Sequence, residues 1–384
     1  MCAGVLVVAG IFLLPSGDQA AARPERNQAA GPEGSRAAAS FRDDALHRAR
    51  IRLTTNADRG ALLVPPPDAS GLLTRETVEC RFVPRMPGGT SFKFDCALPT
   101  GEIIRVKYGH EPEIHAEIAA TRLLTALGYA ADHMYLVPRV RCQGCPGNPF
   151  VTMAVLDRLG LGVPEHGSRD GFTDFEWVAV ERKFEAPAIE DDDREGWAWW
   201  ELKNAGAPRD EIDALRLLAV FLAHWDNKAE NQRLVCLDSE NGVGGHFSET
   251  VSAKNDPRPH FPCRDPLLMI QDVGATFGPA KVNLSQWRQQ PMWLNRGTCT
   301  VSMRAMPFGG STFDDVRISD GARVQVGRAL AGFSDEEVRR WFAAARFPEF
   351  YSTTGDSKDL DAWVRAYRYR VSQILDAGPC RQDG

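Results

Sequence analysis

From Thr77 onward the apolar positions recur with a period near two. Val78, Cys80 and Phe82 alternate, Pro87-Gly88-Gly89 turns the chain, and Phe92, Phe94 and Cys96 resume the alternation. A second turn at Pro99-Thr100-Gly101 leads into Ile103-Ile104-Arg105-Val106-Lys107-Tyr108, so three short strands joined by tight turns are expected to form an antiparallel meander. The period then changes to that of a helix. Glu113 to Leu127 places Ile114, Ile118, Leu123, Leu124 and Leu127 at helical spacing, and Gly128 stands where a C′ glycine ends a helix. Apolar runs at Met134 to Val140 and Phe175 to Phe184 add two further strands.

The second half reads differently. Asp213 to Ala223 is apolar nearly all round, the pattern of a buried helix. Ser334 with Glu337 forms a capping box ahead of Val338, Trp341, Phe342 and Ala345. Leu360, Trp363, Val364, Tyr367, Val371 and Ile374 form another helical stripe before Gly378-Pro379. The expectation is an α+β protein: a small antiparallel sheet with one helix, followed by a larger helical part.

Composition narrows the function classes. The 384 residues are 43% hydrophobic and 25% charged with a formal net charge of -6, an ordinary globular mixture. The basic residues are scattered rather than gathered into a run that neutralises successive phosphates, which argues against nucleic acid as a partner. The one long apolar stretch, Ala3 to Leu14, falls well short of the roughly 20 residues of a membrane-spanning helix. Followed by Pro15-Ser16-Gly17 and Ala20-Ala21-Ala22, it reads as a signal peptide over 1–22, implying a secreted or periplasmic protein. Residues 23–75, rich in Ala, Arg, Gly and Pro, read as a linker or lead-in.

Nine cysteines are present, and removal of residues 1–22 deletes Cys2 and leaves eight, enough for four disulfides. Cys80 with Cys96 across a hairpin and Cys236 with Cys263 across an insertion are the economical pairings. Cys142-Gln-Gly-Cys145 has the spacing of half a zinc site, but no second C-x-x-C or H-x-x-x-H follows to complete four ligands, and its Gly-Pro context is a turn rather than the helix start of a redox pair. Trp197, Trp199 and Trp200 are read as core packing.

Immediately after the buried helix stands His224-Trp225-Asp226-Asn227-Lys228-Ala229-Glu230-Asn231, a dense polar group against an apolar segment. His224-x-Asp226-x-Lys228-x-x-Asn231 resembles the protein-kinase catalytic loop, with Trp225 where Arg is usual. Ile270 to Gly278 is similar to the D-x-G-x-x-F-G of secretory-pathway and phosphoinositide kinases, and Ile104-Arg105-Val106-Lys107 resembles the kinase V-A-I-K strand. The resemblance implies a bilobal, protein-kinase-like fold of an atypical branch, with an N-lobe over 76–185 and a C-lobe over 186–384.

It also implies roles. Asp226 would accept the proton of an acceptor hydroxyl and Lys228 would stabilise the moving phosphoryl group. Lys107 would bind ATP phosphates, held by Glu117, with Glu113 one turn earlier as the alternative. Asn231 and Asp272 would hold Mg²⁺ or Mn²⁺, hard cations suited to oxygen ligands. The loop over the nucleotide would be Met86-Pro87-Gly88-Gly89-Thr90-Ser91, which brings Gly88 and Gly89 to the phosphates but lacks G-x-G-x-x-G. Asn231 and Asp272 stand 41 positions apart, so an insertion bearing Gly242 to Gly245 separates the two metal ligands, and no A-P-E motif follows Gly278. The implied activity is transfer of the γ-phosphate of ATP to a hydroxyl on a protein, glycan or small molecule. A pseudokinase, a nucleotidyl transferase, or a disulfide-stapled calcium-binding domain are the rival readings; neither the acceptor nor the oligomeric state is readable.

Overall fold

A computed structural model describes residues 41–55, 57–109, 111–161, 171–191, 194–238, 263–279, 282–303, 313–349 and 358–381. The expected signal peptide and the glycines at 242–245 lie outside the described residues.

The alternating segments form β1 (Thr77–Val83), β2 (Lys93–Ala97) and β3 (Ile103–Lys107), each antiparallel to the next. β4 (His133–Gln143) and β5 (Phe172–Arg182) pair antiparallel, and β5 also pairs antiparallel with β3. The expected sheet is corrected at one seam: β1 runs parallel to β4, with Thr77 opposite Arg139, and closes the five strands in the order β1-β2-β3-β5-β4. The inward residues, among them Val78, Phe94, Val106, Val137 and Val180, make a small core of their own.

A second, larger apolar cluster gathers the helices. They are residues 41–48 (α1), α2 (Pro112–Ala126), α3 (Pro149–Arg158, which instead lays Phe150 against the small core), α4 (Arg209–Leu222), α5 (Leu284–Gln289), α6 (Asp320–Ala331), α7 (Asp335–Ala344) and α8 (Leu360–Leu375). α2 is buried on nearly every side, because the sheet covers one face and α7 the other: Trp341 donates its indole N–H to Ala119 O (3.0 Å). Gly128 ends it at φ +83, where a Cβ would lie 2.2 Å from Thr54 O, so only glycine fits. The capping box of α7 is present, Ser334 and Glu337 each bonding the other's backbone N–H.

The lead-in departs from its expected linker character. Arg42, Ala45, Leu46, Ala49 and Ile51 are 0–3% exposed, and Arg50 bridges in parallel to Leu267. Small Ala side chains let α1 pack closely. Arg42 enters the core because Glu201 neutralises it at 2.8 Å and Gly196 O accepts a further bond at 2.6 Å.

Four disulfides join Cys80–Cys96, Cys142–Cys145, Cys236–Cys263 and Cys299–Cys380. The Cys142-x-x-Cys145 pair thus bonds to itself. Trp197, Trp199, Trp287 and Trp341 are core residues, whereas Trp200 is 65% exposed. Among the described residues no helix is long and apolar enough to cross a membrane.

Candidate functional site

Two structural devices place the polar residues. The first is the end of α4. Ala223 takes the left-handed conformation (φ 55) and stops the helix, which leaves its last carbonyls without helical partners. They are taken up from three directions: Arg370, fully buried, donates to Val220 O and Phe221 O at 2.8 and 3.1 Å, Trp287 donates to Phe221 O at 2.8 Å, and the Phe277 N–H bonds Leu222 O at 2.7 Å. The segment that leaves α4 therefore starts from a fixed point.

That segment, 224–231, is held through its own backbone. Asn227, fully buried, donates to His224 O (2.6 Å), and its carbonyl accepts from Trp199 Nε1 (3.1 Å) and Gln232 Nε2 (3.3 Å). Asn231 Nδ2 donates to Asp226 O at 2.7 Å. With the carbonyls used inward, the Asp226 and Lys228 side chains face outward, 30% and 44% exposed, with Nζ 3.7 Å from Oδ1. His224 is buried, and burial pushes its imidazole down to about 4, so it is neutral at physiological pH.

The second device is a hairpin. β6 (Gln232–Cys236) pairs antiparallel with β7 (Pro266–Ile270), Gln232 opposite Ile270, and the Gln271 N–H bonds Asn231 O at 3.1 Å. This register sets Asn231 beside the segment that carries Asp272, across 41 positions of sequence. The Cys236–Cys263 bond staples the opposite end of the hairpin, where the insertion departs. Asp272 is in the left-handed region at φ 52, a strained conformation for a residue with a Cβ. Gly274 follows because a Cβ there would lie 2.5 Å from Glu113 Cγ.

Lys107, at the end of β3 and 4% exposed, joins the two parts. Its Nζ lies 2.7 Å from both carboxylate oxygens of Glu117, 3.2 Å from Glu181 and 3.7 Å from Asp272. The ion pair is made by Glu117, while Glu113 packs against Gly274. Burial disfavours the charge on Lys107, but Glu117, Glu181 and Asp272 outweigh it and hold the ammonium well above its ordinary pKa. Burial pushes Glu117 up to about 8 against the pull of Lys107, with repulsion from Asp272 and Glu181 adding to it. Glu181 is driven the other way: Lys107 and Lys183 overcome its burial and hold it well below the ordinary range.

Glu181 was not among the residues singled out from sequence. Arg105 pairs with Glu181 across β3 and β5, so Glu181 stands diagonal to Lys107 on the same face of the sheet. Its sequence signal is only a polar residue at the end of an apolar run. Gly88 and Gly89 lie in the β1–β2 connection; Gly89 is at φ +82, and a Cβ on it would approach Lys93 Nζ at 3.0 Å. Beside Lys107, Ser91, Phe92, Tyr108 and Glu113 enclose a space of about 10 Å³, of the order of one water.

Three carboxylates converge on one ammonium, Asp272 is 41% exposed, and the Asn231 amide, its N–H₂ engaged by Asp226 O, has no described donor on its oxygen. The Asp272 carboxylate and the Asn231 amide oxygen are donor types that Mg²⁺ or Mn²⁺ takes.

No protein-family description matches the chain, and no curated protein is similar to it. Among solved structures, the crystal structure of a Helicobacter pylori proinflammatory kinase, CtkA, is similar at a TM-score of 0.38 and 12% sequence identity, over 78% of this chain and 96% of that one.

Proposed function

We propose that this protein is an ATP-dependent phosphotransferase of protein-kinase-like, bilobal architecture, the sheet with α2 forming the smaller lobe and α4 to α8 the larger, acting on a hydroxyl outside the cytoplasm. The observation that carries the reading is the convergence of Lys107 from β3, Glu117 from α2 and Asp272 from beyond β7, with Lys107 Nζ 2.7 Å from Glu117 and 3.7 Å from Asp272. An ammonium fixed by a helix carboxylate and aimed at an exposed carboxylate suits a bound triphosphate. Four disulfides support an oxidising compartment.

Phosphoryl transfer is governed by positioning and by cations where charge builds. Mg²⁺ or Mn²⁺ held by Asp272 and Asn231 would supply charge neutralisation on the phosphates. Lys107 binds phosphate oxygens, and Glu117 keeps its flexible stem in place. Asp226, outward and partly exposed, orients the acceptor hydroxyl and takes its proton, and Lys228 offsets charge on the transferred group. Neutral His224 packs beneath them. Because the space beside Lys107 is of the order of one water, nucleotide entry requires Ser91 and Phe92 to move away from Glu113 and Lys107.

The test is incubation of the oxidised chain with γ-labelled and, separately, α-labelled ATP and Mg²⁺ or Mn²⁺. Transfer of γ-label, lost in Asp226→Asn, supports phosphotransfer. Transfer of α-label replaces this reading with nucleotidylation, and the absence of both labels together with the absence of any ATP-induced thermal shift removes it.

A further inference from the structure

Arg122, near the C-terminal end of α2, is 6% exposed, and its Nε and Nη1 are closed off from solvent with no hydrogen-bond partner among the described residues. The other buried arginines that the structure describes are bonded through their terminal nitrogens or Nε: Arg42 to Glu201, leaving only its Nε unpartnered, Arg323 to Asp320, and Arg370 to four backbone carbonyls. Burial alone acts on the Arg122 guanidinium and pushes it down to about 10, with no neighbouring carboxylate to offset the effect. A buried, unpaired cation costs several kcal/mol, so a cation retained there calls for a counter-charge.

Arg122 borders a cavity of about 390 Å³, within the size range of small-molecule sites. Leu73, Leu136 and Pro138 supply apolar wall, and the exposed Arg75 and Glu76 also line it. The Tyr135 hydroxyl in that wall is already committed, donating to Pro67 O at 2.8 Å. None of these residues borders the space beside Lys107.

We propose that this cavity binds a small organic oxyanion, a carboxylate or phosphate on an apolar body, with Arg122 as its counter-charge. Either head group supplies the negative charge that the described surroundings of Arg122 lack, in a charge-assisted hydrogen bond. Leu73, Leu136 and Pro138 take the apolar body, and Arg75 adds a second positive charge.

The proposal is tested by calorimetric titration of the oxidised full chain with benzoate and with phenyl phosphate, using acetate and inorganic phosphate as bare head groups. One site per chain is expected for at least one aromatic anion, binding about tenfold or more tighter than its head group alone. Whichever head group binds identifies the source chemistry. Arg122→Met abolishes the site; Arg75→Gln, at an exposed position, weakens it several-fold; Glu76→Gln tightens it. No binding to the wild type up to about 10 mM, or binding that survives Arg122→Met, overturns the proposal. Should Arg122→Met fail to fold, unchanged affinity in both Arg75→Gln and Glu76→Gln overturns it equally.

Discussion

Replacing Glu117 by Gln should remove a pH dependence of stability that the wild type carries. Glu117 is 3% exposed and its carboxyl is raised from 4.5 to about 8 in the folded protein. A raised acid binds more protons folded than unfolded, so its contribution is complete below the unfolded pKa and is lost as pH rises through the folded one. Below pH 6.5 the trend is masked by His224, whose folded pKa of about 4 makes stability rise with pH between 4 and 6.5. The clean window is therefore pH 6.5 to 8. One proton over that interval, at about 1.4 kcal/mol per unit, gives a wild-type loss of about 2 kcal/mol. Gln carries no proton to lose, so Glu117→Gln should be flatter by that amount, and phosphotransfer measured above pH 8, where the wild-type carboxylate is ionised against Lys107, should fall about a hundredfold or more. Urea unfolding at half-unit pH steps reads the slopes. Burial also raises Glu113, but identically in both proteins, so it cancels. Parallel pH profiles for the two proteins would refute the reasoning.

Asp272→Asn should abolish both γ-label transfer and the metal-dependent thermal shift with ATP, whereas Asp226→Asn should lower transfer by about a thousandfold and keep the shift, since it touches the acceptor and not the phosphates. Gly274→Ala forces a Cβ to within 2.5 Å of Glu113 Cγ and should destabilise by about 1–3 kcal/mol in chemical denaturation; an unchanged midpoint would mean Glu113 has room to withdraw. Replacing Cys299 and Cys380 by Ala opens a separation of 81 residues and should lower stability by about 4.5 kcal/mol on loop-closure grounds, against a much smaller effect for Cys142 and Cys145, three apart, when the two variants are melted side by side.

Local physics made much of the chain legible. Alternation marked β1 to β3, helical spacing marked α2, α4, α7 and α8, and Ser334 and Glu337 marked a helix start, because each signal depends on neighbours within a few residues. Lys107, Glu117, Asp226, Lys228, Asn231 and Asp272 were visible as residue types at characteristic spacings. α1 was hidden because its buried residues are Arg42, Ala45 and Leu46, with a single large apolar side chain among them, and because Arg42 finds its counter-charge in Glu201, 159 positions away.

What sequence alone determined was the local course of β1 to β5, α2, α4, α7 and α8 and the polar residue types carried on the segments after α4 and β7. Tertiary structure decided the parallel seam of β1 with β4, the choice of Glu117 over Glu113 for Lys107, the place of Glu181 beside that pair, and the isolation of Arg122. These depend on charges brought together out of water by strands and helices remote in sequence. Desolvation and Coulomb attraction act through space at a few ångströms, and no local period in the chain encodes that proximity.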